Sequence, residues 1–308
     1  MKGRDERTEN RREVDYVIRE AGEDVFLCLL ADAPLRIAGT PDLVSVRFLG
    51  RTVPRADTVW ECAATVWEGG VEDDEGLVRL CWPVVLPLGV LEYHGDHLPV
   101  GMDTLAVVKA LELLEQERPL VILPAFYYGA ASYAVEPPEG KGTVHVDADY
   151  LQPMARGLFR SLLRIGFRNI HFFIHHQSEN FAAGMPTDLA FKFAARQAIF
   201  EYLEQERGEG WWGKSQMADY YAQQAAGDDP FNWIKGHPLM TPEIIRQYPF
   251  DHAGAGETGL MLALCPETVD QTAVDPAVWY SRSATAATRE QGAKGVALIL
   301  QAMREVLR

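Results

Sequence analysis

The chain has 308 residues, and its 44 acidic against 29 basic side chains leave a formal net charge of −15. Such a field repels a phosphate polymer or an anionic membrane surface, because affinity for either comes mainly from Lys and Arg displacing counterions. Nucleic acid and membrane are therefore excluded as expected partners. With 47% hydrophobic and 24% charged residues, the composition is that of an ordinary globular protein, long enough for one large α/β domain or two modest ones.

The first dozen residues alternate charges and lack the apolar core of a signal peptide. No apolar run approaches the roughly 18 residues that span a bilayer. Cys28, Cys62, Cys81 and Cys265 are scattered without a C-x-x-C pair, which suits a reducing compartment better than a disulfide scaffold. A cytoplasmic location is the expectation. Val25 to Leu30 and Leu43 to Leu49 are β-branched and apolar enough to predict strands between turns. The acidic run Glu72 to Glu75 reads as a surface loop, and residues 1–80 as an N-terminal extension of unassigned role.

From residue 81 to 308 the pattern becomes regular. Pro83 to Gly89, Leu120 to Leu123 and Ile170 to Ile174 are short apolar runs with the character of buried strands. Between and after them, helical spacing predicts helices over Thr104 to Gln116 with Asp103 as its cap, Tyr150 to Ile165 stopped by Gly166, Thr187 to about Glu206, and Ala284 to Leu307. Strands separated by helices imply right-handed crossovers, a mainly parallel central sheet and a three-layer α/β/α architecture. A Gly-rich aromatic loop runs from Tyr127 to Tyr133, and a Trp-bearing stretch near 207–240 reads as an inserted lid or interface segment.

In such sheets ligands bind beyond the carboxyl ends of the strands. There lie Glu92 and His94 after the first strand, and His175 to Asn180 after the third. All eight histidines fall between His94 and His252, and histidine is the common metal ligand and proton carrier near neutral pH. Glu92 and His94 are two apart, so on an extended segment they point to one side. Pro99 and Gly101 then turn the chain so that Asp103 returns at the mouth of the next helix. One imidazole and two carboxylates around one space is a ligand mix suited to Zn²⁺ or Mn²⁺.

The string Glu92-x-His94-Gly-x-His97-Leu-Pro-x-x-x-Asp103 resembles the signature of the creatininase, or creatinine amidohydrolase, family. Gly142-Thr143, the stretch Gly166 to Ile174, and His252-Ala-Gly-Ala-Gly-Glu257-Thr258 fall where that family has matching elements. The resemblance implies a creatininase-like α/β enzyme whose centre of one or two Zn²⁺ or Mn²⁺ ions hydrolyses an amide C–N bond. Carried over by position, Glu92 binds the first ion, His94 the second, and Asp103 bridges them. The family's Asn-Gly-His-x-x-Asn stretch supplies another histidine, which falls on Gln177 when aligned on Asn180 or on His176 after a one-residue shift. Glu179 then stands where creatininase has a further carboxylate ligand. His252 is the candidate proton donor to the leaving nitrogen, with Glu257 orienting it or joining the metal shell.

Departures from the family pattern bear on substrate. Val90 and Tyr93 replace Ser and Gln, Asp96 replaces Pro, and the stretch before the His-Ala-Gly motif is Gln247 to Asp251. Creatinine is therefore not the expected substrate. Ser132, Tyr133, Gln177 and Asp251 are the candidate substrate contacts. The expected activity is hydrolysis of a small cyclic or formyl amide. The alternatives are a deformylase or peptide-trimming relative, and a catalytically silent ligand-binding paralogue. The resemblance also implies a homo-oligomer such as a hexamer.

Overall fold

The computed structural model describes residues 16–21, 24–29, 83–118, 120–227 and 229–307. The expected strand over Leu43 to Leu49 and the acidic loop at Glu72 to Glu75 lie outside the described residues. Of the N-terminal region, β1 (Tyr16–Ala21) and β2 (Asp24–Leu29) pair antiparallel as a hairpin.

From residue 83 on, the elements include each predicted strand and helix in order, together with others the sequence did not predict. They are β3 (Val84–Leu88), α1 (Met102–Glu115), β4 (Val121–Ile122), α2 (Ala148–Ile165), β5 (Ile170–Ile174), α3 (Pro186–Arg207), α4 (Tyr220–Ala225), β6 (Ile234–Pro238), α5 (Pro242–Ile245), α6 (Ala255–Leu264) and α7 (Arg289–Val306). A sheet of order β4-β3-β5-β6 forms, with every pair parallel. Alternation along each strand builds the two cores. Val84, Leu86, Leu88, Ile170, Phe172 and Ile174 pack with α2 and α3 on one face. Val85 and Phe173 pack with α1, α6 and α7 on the other. The result is a three-layer α/β/α fold.

Two expectations change. Asp103 is not a cap: Gly101 holds the N-cap position, without a side-chain hydrogen bond, and Asp103 lies within the first turn with its carboxylate buried. Within the stretch near 207–240 expected as an insertion, residues 234–238 form β6, which joins the sheet beside β5 as its edge. Gly236 and Pro238 give β6 the look of a loop, and its pairing with β5 overrides that poor propensity. Trp211 is buried in the core rather than in a lid, and Trp233 packs against the same core, with the Arg168 guanidinium 4.6 Å above its ring. Trp212 stays exposed against Tyr220 and Tyr221.

Candidate metal centre

Four segments meet at the carboxyl ends of β3 and β5. After β3 the chain runs out and returns, closed by Glu92 N–H donating to Val100 O at 2.9 Å, so that α1 starts beside the strand it left. Gly89 permits that approach: a Cβ there would stand 2.9 Å from the Thr104 backbone. Glu92, His94 and Asp103 are thereby brought together and buried. His175 and His176 enter from the end of β5, His252 from the turn just before α6, and Glu257 from the first turn of that helix. In that turn Ala253 adopts φ of +54°, a left-handed conformation a non-glycine residue rarely holds. Its N–H donates to Glu257 Oε2 at 2.6 Å.

Beside a group of Glu92, His94 and His252, the side chains form two groups that share Asp103. In one, His176 Nδ1 lies 3.2 Å from Glu92 Oε2 and 3.7 Å from Asp103 Oδ2. In the other, His94 Nε2 lies 3.6 Å from both Asp103 Oδ1 and Glu257 Oε2. His175 Nε2 approaches Glu257 Oε1 at 3.1 Å, too far off line for a hydrogen bond. Among the described residues, Asp103 Oδ2, His176 Nε2 and both His175 nitrogens are buried with no hydrogen-bond partner. Buried polar atoms are normally paired, so a cluster of orphans among carboxylates and imidazoles fits cations placed between them.

Electrostatics point the same way. Burial opposes charge on His94, but the Asp103, Glu257 and Glu92 carboxylates outweigh it and raise its pKa. For His176 burial is likewise overcome, by Asp103 and Glu92, and its pKa is pushed up to about 10. Burial would raise Asp103 and Glu257, yet the surrounding histidines hold both below the ordinary carboxylate range. The field that retains protons on these imidazoles is one that would retain a divalent cation in their place.

His252 stacks on His94 with ring centroids 4.3 Å apart, and it is the most open of the group, with 27% of its side chain exposed. Its Nε2 lies 2.9 Å from Tyr93 O. A carbonyl only accepts, so Nε2 carries a proton, and Nδ1 stands 4.0 Å from Glu92 Oε2.

The other site expectations fare differently. Glu179 is exposed and belongs to none of the histidine and carboxylate groups, whereas Glu257, on α6, groups with His94 and Asp103. Gln177 is turned to the main chain of the β6–α5 connection. Its amide binds both main-chain groups of Met240, at 2.8 and 2.9 Å, which leaves His176 as the histidine that reaches the group. Asp251 is committed to the N-terminus of α6, accepting from Gly256 N and Glu257 N at 2.8 and 3.2 Å. Ser132 and Tyr133 lie exposed on their loop, where Ser132 N donates to His145 Nδ1 at 2.9 Å. The sequence reading missed His175 as a Glu257 contact, although its place next to His176 signalled it. At the rim Tyr93 donates to Asp96 at 2.6 Å, and beside these two departures from the family pattern stand two residues the sequence did not single out: Lys141, which donates to Tyr93 at 3.0 Å, and Tyr280, edge-on to His252.

The family model described as creatininase, creatinine amidohydrolase, matches residues 73–307. The chain belongs to the creatininase family. A curated relative, creatinine amidohydrolase of Pseudomonas putida, is 24% identical over 195 residues, which cover 61% of this chain and 66% of that enzyme. The chain thus spans just under two thirds of that relative's length. A crystal structure of creatinine amidohydrolase matches with a TM-score of 0.56 at 22% identity, covering 80% of this chain and 92% of the other. Two further creatininase structures, one a Mn form and one a mutant of Zn–Zn type, each match with a TM-score of 0.55 at 22% identity, over 80% of this chain and 95% of theirs. At such identities the likeness shows a creatininase fold.

Proposed function

We propose that this creatininase-family protein is an amidohydrolase that uses two divalent ions, Zn²⁺ or Mn²⁺, to cleave a C–N bond in a small cyclic or formyl amide. The observation that carries the reading is Asp103, whose two carboxylate oxygens divide between the Glu92–His176 group and the His94–Glu257 group. Glu92, Asp103 and His176 would hold one ion and His94, Asp103 and Glu257 the other. Ions bound there would supply a water acidic enough to attack near neutral pH and a Lewis acid for the amide carbonyl.

The chain's own residues handle the proton. His252 offers Nδ1 as a base on the exposed side of the centre, and Tyr93 O fixes that tautomer through Nε2–H. Once protonated, the ring sits against the Glu92 carboxylate and can give the proton to the departing nitrogen, which must leave protonated. His252 is therefore base first and acid second, whereas the sequence suggested only the acid. The exposed edge beside it is formed by Tyr280, Tyr93, Asp96 and Lys141, two of which stand where the family pattern has other residues. That difference supports a substrate other than creatinine.

Metal analysis of protein purified without chelator, followed by a panel of lactams, formamides and short peptides, tests the reading. Two ions per chain and turnover of a lactam or formamide are expected. Protein that takes up neither Zn²⁺ nor Mn²⁺ sinks it, and turnover of peptides alone would move the assignment to a peptide-trimming relative. A homo-oligomer is part of the proposal, supported by the exposed Leu189, Phe193 and Phe200 on α3; light scattering on the purified protein checks it.

A further inference from the structure

We infer that His97 is a positioning residue that locks the Glu92–His94 loop to the N-terminal turn of α6 through Thr258, and so sets the distance between His94 and Glu257. His97 is 2% exposed, and its Nε2 lies 3.0 Å from Oγ1 of the fully buried Thr258, across 161 positions of sequence. It belongs to none of the candidate ligand groups. The loop is shaped to deliver it. Gly95 has φ of +77°, and a Cβ at that position would stand 2.6 Å from His97 Nδ1, so only glycine lets the chain fold back over the ring. Asp270 N donates to His97 O at 3.0 Å, fixing the residue from its other side. Burial lowers the basicity of the imidazole, which keeps it a neutral hydrogen-bonding partner for the hydroxyl.

What it holds is a segment that needs holding. Thr258 directly follows Glu257, whose carboxylate is gripped by the N–H of left-handed Ala253. Asp251 caps the same turn, but from within the same segment, and cannot set where that segment lies against His94. The His97–Thr258 contact can, because its two ends belong to the two pieces of chain that carry His94 and Glu257. The Glu92–Asp103–His176 group draws nothing from α6. The consequence is asymmetric: loosening His97 disturbs the ion shared by His94, Asp103 and Glu257 and spares the other.

The inference rests on the two-ion reading, and one titration separates the two. Zn²⁺ is titrated into the metal-free full chain against a chromogenic chelator, for wild type, His97→Gln, Thr258→Val, Thr258→Ser and the Gln/Val double variant. Expected are two ions in wild type and, in His97→Gln and Thr258→Val, a loss of about 10- to 100-fold in affinity for one ion only, the range seen when groups supporting a ligand are removed. Thr258→Ser keeps the hydroxyl and should match wild type. The double variant should be no worse than the weaker single variant, since both remove one contact. Thr258→Val is nearly isosteric, which keeps the test open if His97→Gln fails to fold. Wild type binding fewer than two ions overturns the functional reading itself. Two ions in wild type with both variants unchanged, with both ions weakened alike, or with additive losses in the double variant overturns the role of His97.

Discussion

One strand carries two kinds of histidine. His171 near the start of β5 and His175–His176 beyond its end are all buried, yet their surroundings differ in sign. His171 Nε2 meets Asn169 Oδ1 at 2.7 Å, and its Nδ1 meets His237 Nε2 from β6 at 2.9 Å. No carboxylate is among these partners. Burial, with His237 and Lys235 nearby, pushes the His171 pKa down to about 3, and burial with Lys235 pushes that of His237 down to about 4. At the other end of the strand, Glu92, Asp103 and Glu257 overcome an equally dry setting and drive histidine pKa values up. The same residue type on the same strand is a neutral packing unit in one place and a candidate ligand in the other. Carboxylates brought in by neighbouring segments, rather than burial, make the difference.

The largest way to test that contrast is Asp103→Asn. Removing the carboxylate common to both groups should strip both ions and lower activity by at least about a thousandfold, since the activated water is lost; elemental analysis beside the rate assay checks it. Full metal content in this variant would mean the carboxylates do not set the character of that end of the strand. His252→Asn comes next, with an expected fall in kcat of about 10²- to 10⁴-fold. The proposed base role predicts an unchanged metal content, and loss of metal would instead make His252 a ligand in its group with Glu92 and His94.

At the neutral end, the sign is fixed by linkage. A histidine whose folded pKa lies below its unfolded value of 6.5 binds fewer protons when folded, so stability declines as pH falls from about 6.5 toward 4 and below. Each such imidazole contributes a slope of up to about 1.4 kcal/mol per pH unit. His171→Gln should flatten the acid limb of the melting temperature against pH while leaving metal content unchanged; an unaltered limb would show that the pair takes up protons in the folded state. The smallest effect belongs to Glu179→Gln. An exposed carboxylate outside the ligand groups should leave metal content and rate within about twofold of wild type, as surface changes generally do.

Legibility in the sequence followed the range over which each feature is determined. Glu92, His94 and Asp103 sit within twelve positions of one another, and the strand exit, Pro99 and Gly101 confine their geometry, so spacing alone predicted a shared space. The parallel sheet was equally legible, because buried strands and long amphipathic helices alternate. β6 was not, since Gly236 and Pro238 lack strand propensity and only the pairing with β5 makes them one. Nor could spacing choose His176 over Gln177. Both lie on the segment leaving β5, and the choice falls to the Met240 main chain, which engages Gln177 and removes it from the centre.

The sequence by itself determined the family, the α/β layering and the first three ligand candidates, because each depends on periodicity or on residues close along the chain. Tertiary structure alone decided which carboxylate completes the second group. Glu179 is near the β5 histidines in sequence but exposed, whereas Glu257, 154 positions beyond Asp103, is delivered by the turn at Ala253 and the first turn of α6 to within 3.6 Å of His94. Proximity along the chain does not constrain the direction of a loop side chain, and packing of α6 against α1 does.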